Sequence, residues 1–106
     1  MLDCCFQWKK SEKISKIRPA IIVSDTQLNE ILDLVSVVAL TTNLIDDAEP
    51  LRVRISKKEF LKEDSDAMIE QLRSVSKSRI GGKIASLDEN ELLKIEYGIK
   101  AMLGVI

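Results

Sequence analysis

The chain has 106 residues, 45% hydrophobic and 31% charged, with a formal net charge of −1. That is the balance of one globular domain over residues 1–106, too short for two cores and too apolar for a disordered chain. It excludes a membrane-spanning helix, because no apolar run approaches the ~20 residues one needs, so no membrane partner is expected.

Aromatic residues make up only 4% of the chain, so the core must be built from Ile, Leu, Val and Ala, and few rings are available to stack on bases. Cys4 and Cys5 are the only cysteines and are adjacent. Neighbours rarely form a comfortable disulfide, and two thiols make no metal set. They read as small hydrophobes of an N-terminal strand. With no secretory leader in the opening residues, a cytoplasmic location is expected. The small net charge conceals blocks. Residues 1–20 carry five bases against two acids, residues 25–50 six acids and no base, and residues 51–83 nine bases against five acids. Such segregation allows a local basic surface facing an anion.

In chain order, Pro19 fixes its own φ and biases Arg18 towards extended backbone, so a buried strand is predicted over Ala20–Ser24. Asp25–Asn29 carries turn residues and predicts a short helical turn. Leu34–Thr41, "LVSVVALT", is a second β-rich run, and Asp46–Pro50 is an acidic loop. Leu51–Ile55 alternates, with Leu51, Val53 and Ile55 inward and Arg52 and Arg54 outward. Lys57–Asp64 is a charged connection with one helical turn around Phe60 and Leu61. Ala67–Gln71 and Leu72–Val75 predict one or two short strands, and Ser76–Arg79 a turn. Gly81-Gly82 predicts a second turn, followed by a strand over Lys83–Ser86. Asp88 with Glu91 forms a capping box for a terminal helix, whose Leu92, Ile95, Ile99, Met102, Leu103 and Ile106 share one face. Five or six short strands and one helix make a mainly β fold: a small barrel with a C-terminal helix packed on it.

The chain has no histidine, which removes Ser-His-Asp triads, Cys-His pairs and paired-histidine ribonuclease chemistry. A structural zinc site lacks ligands, no Gly-rich phosphate loop is present, and no cofactor or metal is expected. Arg, Lys, Thr, Ser, Asp and Glu remain, a set suited to binding a phosphodiester and stabilising charge on it.

Three segments in register point further. "KIRPAIIVS" resembles the Arg-Pro-Ala/Val-Val-Ile-Val-Ser motif of the MazF/PemK (Kid-like) toxins of type II toxin–antitoxin systems. "VVALTTN" is similar to that family's Thr-ended strand, and "SDAMIEQLRSVSKSRIGGKIASL" to its Gln-Ile/Leu-Arg-Thr-Val segment. The resemblance implies an SH3-like barrel that forms a homodimer. It implies cleavage of single-stranded RNA without a metal, by 2′-hydroxyl attack that leaves a 2′,3′-cyclic phosphate and a 5′-hydroxyl. The implied partners are the RNA and a cognate DNA-binding antitoxin, whose disordered segment covers the RNA groove.

Residue by residue, Arg18 falls on the catalytic arginine of the motif, Thr41 on the strand-end threonine and Glu70 on an acidic position that accepts a proton in some members. Lys16, Thr42, Asn43, Arg73, Lys77 and Arg79 fall along the implied RNA surface. Each has a plainer reading: Thr41 as a turn former, Glu70 in a structural ion pair, Arg73 as a tie within the barrel or dimer. Arg52 and Arg54 read as a solvated strand face. Two departures stand out. The loop "SEKISK" has no glycine where the family has a Gly-rich loop, and Met68 stands where some members carry an arginine, which puts more weight on Arg18. The alternatives are a catalytically inactive barrel that binds RNA or an acidic antitoxin-like peptide, and a purely structural dimerisation domain.

Overall fold

The computed structural model describes residues 4–9 and 17–105. Lys16, the rest of the Ser11–Lys16 loop and Ile106 lie outside the described residues, as does the side chain of Cys4. The described chain forms seven strands and two helices in the order β1 (Cys4–Lys9), β2 (Ile17–Ile22), α1 (Thr26–Ile31), β3 (Leu34–Thr41), β4 (Arg52–Ile55), β5 (Ser65–Met68), β6 (Arg73–Ser76), β7 (Ile80–Ser86) and α2 (Glu89–Leu103). Every strand pairing is antiparallel.

The strands follow the order β4-β5-β3-β2-β1-β7, and β6 also lies beside β3. The long β3 serves two partners along one edge. Its first half pairs with β6 (Leu34–Val37) and its end with β5 (Leu40, Thr41), while β2 covers the other edge. The turn between β4 and β5 reaches back to β7 through Phe60 N–H to Ile84 O at 3.1 Å and Ser86 N–H to the Glu59 carboxylate at 3.0 Å. The sheet is thereby curled towards the expected barrel without a continuous ladder closing it.

Alternation along the strands builds two apolar clusters. Cys5, Ile21, Val38, Leu40, Val53, Ile55, Ala67 and Ile69 form the larger, under α2, which contributes Ile95 with Leu92, Ile99 and Met102. Trp8, Ala20, Val35, Val37, Ala39 and Val75 form the smaller on the opposite face. Val37 and Val38, like Ala20 and Ile21, are therefore both buried although they point opposite ways. This explains why these runs read as continuous apolar stretches and not as alternation.

Several expectations need correction. β2 begins at Ile17, before Pro19, because β1 pairs with its whole length and sets Gln7 opposite Pro19. The β3 ladder starts only at Ala20, once the chain again has an N–H to donate. Gly81-Gly82 is no turn but lies inside β7. Between the pairs Phe6–Lys83 and Trp8–Ile80 the register slips, so both glycines oppose Gln7 in a β-bulge. A Cβ on Gly81 would sit 2.9 Å from Gln7 Oε1 and 3.1 Å from Gln7 Cβ, so any larger residue there would have to shift the Gln7 side chain. The connection at Phe60 is a tight turn closed by Lys58 and Leu61, not a helical turn. Leu51 precedes β4 and is 42% exposed.

α2 starts at the expected box: Asp88 accepts from Glu91 N at 2.7 Å, and Glu91 accepts from Asp88 N at 3.0 Å. Glu91 is buried and also takes Ser56 N–H at 2.9 Å and the Lys58 ammonium, tying the helix start to the end of β4. The helix ends at Gly104 in a left-handed conformation (φ 73°). Its last turn overshoots the core, so Leu103 is 60% exposed instead of sharing the buried face. Among the described residues no helix is long and apolar enough to cross a membrane.

Candidate active site

β2 and β3 are registered by the pair Ala20–Ala39. Two residues further in opposite chain directions come Arg18 and Thr41, so the antiparallel register sets these two side chains on one face at the open end of the β2–β3 pair. Trp8 is the cross-strand partner of Arg18 on β1 and shares that face. Arg73 enters from the other side of β3, opposite Val37. These side chains meet in a pocket of about 130 Å³ lined by Trp8, Arg18, Ala39, Thr41, Met68, Gln71 and Arg73, with Leu40. Ala39 is the small residue that leaves the hollow open.

The pocket is cationic and has no carboxylate in its lining. Among the described residues neither Arg18 nor Arg73 is in an ion pair. The Arg73 guanidinium lies 5.4 Å from the centroid of the Trp8 ring. Trp8 is 2% exposed, and its Nε1 is buried without a hydrogen-bond partner. Thr41 Oγ1 accepts Asn43 N–H at 3.1 Å. That bond uses the oxygen and leaves the hydroxyl proton available to donate. The site thus presents two guanidiniums and a hydroxyl donor to one small space, which is what a phosphate oxyanion requires.

The structure brings Arg18, Thr41 and Arg73 together and places the other candidates elsewhere. Glu70 lies on a single 3-10 turn after β5 and not on a strand. Its carboxylate meets Arg52 Nε at 3.3 Å, and it is not among the residues lining the pocket. Thr42 faces a separate apolar cleft with Pro19, Phe60 and Ile84. Arg79 lines a cleft with Gln7, Lys9 and Ile17, whose side chains point away from the Trp8 face. Lys77 sits on the turn before β7, where its N–H bonds Asp33 O at 2.9 Å. Asn43 is exposed beside Thr41 and contributes the backbone bond already described.

Arg52 and Arg54 point outward as expected, but both carry carboxylate partners. Arg54 Nε bonds Asp66 at 2.5 Å and its Nη2 bonds Asp46 at 2.9 Å. Asp66, 1% exposed, also accepts Ile45 N–H at 2.8 Å. Burial pushes the Asp66 carboxyl up, but the Arg54 and Ile45 hydrogen bonds outweigh it and hold the carboxyl below the ordinary carboxylate range. Hydrogen bonds to Asp66 and then Asp46 raise Arg54 in turn. The cluster pins the β3–β4 loop to β5, which fixes the chain just after Thr41.

Sequence reasoning missed Trp8 and Gln71. The available signal for Trp8 was a lone tryptophan between the polar Gln7 and Lys9, a position that alternation turns to the opposite face from Cys5. Gln71 offered none, since its place depends on the turn that separates β5 from β6.

Comparison with known proteins now bears on this pocket. The family model described as PemK-like, MazF-like toxin of type II toxin–antitoxin system matches residues 4–103. The chain belongs to this toxin family. Endoribonuclease MazF of Staphylococcus epidermidis is 29% identical to it over 90 residues, covering 84% of this chain and 75% of the relative. Among solved structures, Mycobacterium tuberculosis toxin MazF-mt6 superposes with a TM-score of 0.81 at 16% identity, over 97% of this chain and 98% of that one. A mycobacterial endoribonuclease in complex with its cognate antitoxin gives 0.79 at 18% identity, over 98% and 94% of the two chains. The toxin domain therefore spans nearly all of the described residues, including the Arg18–Thr41 rim.

Proposed function

We propose that this toxin is a metal-independent endoribonuclease acting on single-stranded RNA, with the scissile phosphate seated between Arg18, Thr41 and Arg73. The observation that carries this reading is the pair of guanidiniums that have no carboxylate partner among the described residues, in one pocket beside a pre-oriented hydroxyl. Membership of the family and the likeness to a relative named Endoribonuclease MazF support it.

In the reaction the RNA 2′-oxygen bonds to phosphorus and the bond from phosphorus to the 5′-oxygen breaks. The 2′-hydroxyl loses a proton and the departing 5′-oxygen gains one, so no water is consumed. Negative charge builds on the non-bridging oxygens. Arg18, with fixed charge and forked donors, stabilises it where it develops, and the Thr41 hydroxyl donates to the same group or to the 2′-oxygen. Arg73 supplies the second charge. Among the described residues no carboxylate lines the pocket. Thr42, Asn43, Lys77 and Arg79 lie outside the pocket lining and take no part in this step.

The partners are the RNA and an antitoxin, in line with the mycobacterial relative solved with its own. A homodimer and a cytoplasmic location complete the proposal; sedimentation of the purified protein checks the first. The missing carboxylate also favours one rival, a barrel that binds RNA without cutting it. Incubation with unstructured RNA in EDTA decides. Fragments ending in 5′-hydroxyls, abolished by Arg18→Ala, support the nuclease. Intact RNA at enzyme excess, with no growth loss on expression, overturns it.

A further inference from the structure

Four arginines lie on or near the β3–β5 end of the sheet, and they are held in two different ways. Arg52 and Arg54 pair with Glu70, Asp66 and Asp46. Arg73 instead faces the ring of Trp8, at 5.4 Å from its centroid, and has no carboxylate partner among the described residues. A carboxylate partner would occupy the in-plane N–H donors of a guanidinium and cancel its charge. An aromatic face does neither, because it attracts the cation through its quadrupole and leaves the edge donors free. Trp8 is also the cross-strand neighbour of Arg18, so one indole links the two free guanidiniums of the pocket. A second and separate sign is polar. Among the described residues the buried Trp8 Nε1 has no acceptor, an uncommon state for a buried donor and one that calls for a partner such as a ligand or water.

We infer that Trp8 is a positioning residue for RNA binding: its ring holds Arg73 beside Arg18 with the charge unneutralised, so that both guanidiniums act on one phosphate. This rests on the pocket being the phosphate site. Without the ring, a long Arg73 side chain has many rotamers open to it. The charge would remain in the molecule but leave the pocket.

The test combines kinetics with fluorescence on the purified full chain. Arg73→Ala is expected to lower kcat/KM about tenfold, mainly through KM, and to flatten the salt dependence by about 0.7 for one lost phosphate contact on a single strand. Trp8→Leu should reproduce both changes, the double variant should be no worse than either single one, and Trp8→Phe should retain most of the slope. Multiplying losses in the double variant, or a wild-type slope in Trp8→Leu, would overturn the inference. Trp8 is buried, so Trp8→Leu may be checked for folding by melting, and a second readout stands apart from it. Trp8 is the only tryptophan, so its emission reports the surroundings of this one indole. Arg73→Ala must change that emission, and a saturating uncleavable 2′-deoxy oligonucleotide must change it less in Arg73→Ala than in the wild type. Unchanged emission in Arg73→Ala refutes the contact. If Arg18→Ala leaves cleavage intact, the phosphate site itself is misplaced, whereas loss with Arg18→Ala but independent Trp8 and Arg73 effects sinks only the present inference.

Discussion

Glu70→Gln separates two roles that the same residue type could fill. As a general base for the 2′-hydroxyl, Glu70 would contribute about 10²–10⁴-fold to the rate. The structure gives it a different occupation: its carboxylate meets Arg52 Nε at 3.3 Å, with side chains 37% and 17% exposed. Exposed ion pairs contribute about 0.2–1 kcal/mol, because Coulomb attraction is offset by the entropy of fixing two long side chains, and the mostly buried Arg52 puts this pair at the upper end. Glutamine keeps an acceptor oxygen for Arg52, so the loss should fall near the lower end of that range. For a domain of about this size 1 kcal/mol corresponds to roughly 4–8 °C in Tm. The expected result is a Tm lowered by a few degrees at most and a single-turnover cleavage rate within about threefold of wild type, with an unchanged pH profile. A rate loss of 100-fold or more at unchanged Tm, with the acidic limb of the pH profile removed, would refute this reasoning and return Glu70 to catalysis.

Thr41→Val removes the hydroxyl while keeping the branched shape, and should cost about 10²–10³-fold in rate with little change in Tm, measured by single-turnover cleavage alongside melting. Gly98→Ala tests the packing of α2: alanine should gain about 1 kcal/mol of helix propensity, but its Cβ would lie 2.5 Å from the Pro50 carbonyl oxygen and 3.2 Å from Ile69 Cγ1. Backbone cannot yield as a side chain does, so a net loss of about 1–3 kcal/mol is expected in urea unfolding. Because the Asp66 carboxyl is held below its ordinary value, its contribution to stability is complete above an unfolded-state pKa of about 4 and is lost as pH falls through the lower folded-state value. Urea midpoints measured from pH 6 downwards should therefore fall less steeply in Asp66→Asn than in wild type, and parallel curves would contradict the assignment.

The legible parts of the chain were those set by local rules. The capping box at Asp88 and Glu91, the helical turn at Asp25, the buried runs after Pro19 and Leu34, and the pairing of Val53 with Ile55 all depend on neighbours within a few residues. Gly81-Gly82 misled because glycine marks turns and bulges alike, and only the opposing strand distinguishes them. Leu51 and Leu103 misled because periodicity predicts a face but not where the core beneath it ends. Arg52 and Arg54 read locally as solvated charges, since their partners Glu70 and Asp66 are 18 and 12 residues away.

For the site, sequence motifs alone singled out Arg18, Thr41 and Glu70 as catalytic candidates and Arg73 as an RNA contact or a structural tie, and the fold takes Glu70 away to Arg52. By itself the sequence determined the elements, the family likeness and the absence of histidine, all carried by residue identity and short spacing. What only tertiary structure decided is which charges stay free. Arg18, Arg52, Arg54 and Arg73 are chemically the same, and nothing local tells them apart. Strand register gave two of them carboxylates, gave Arg73 the face of Trp8, and left it with Arg18 at one open rim. A charge is available to a ligand only when folding has not already paired it.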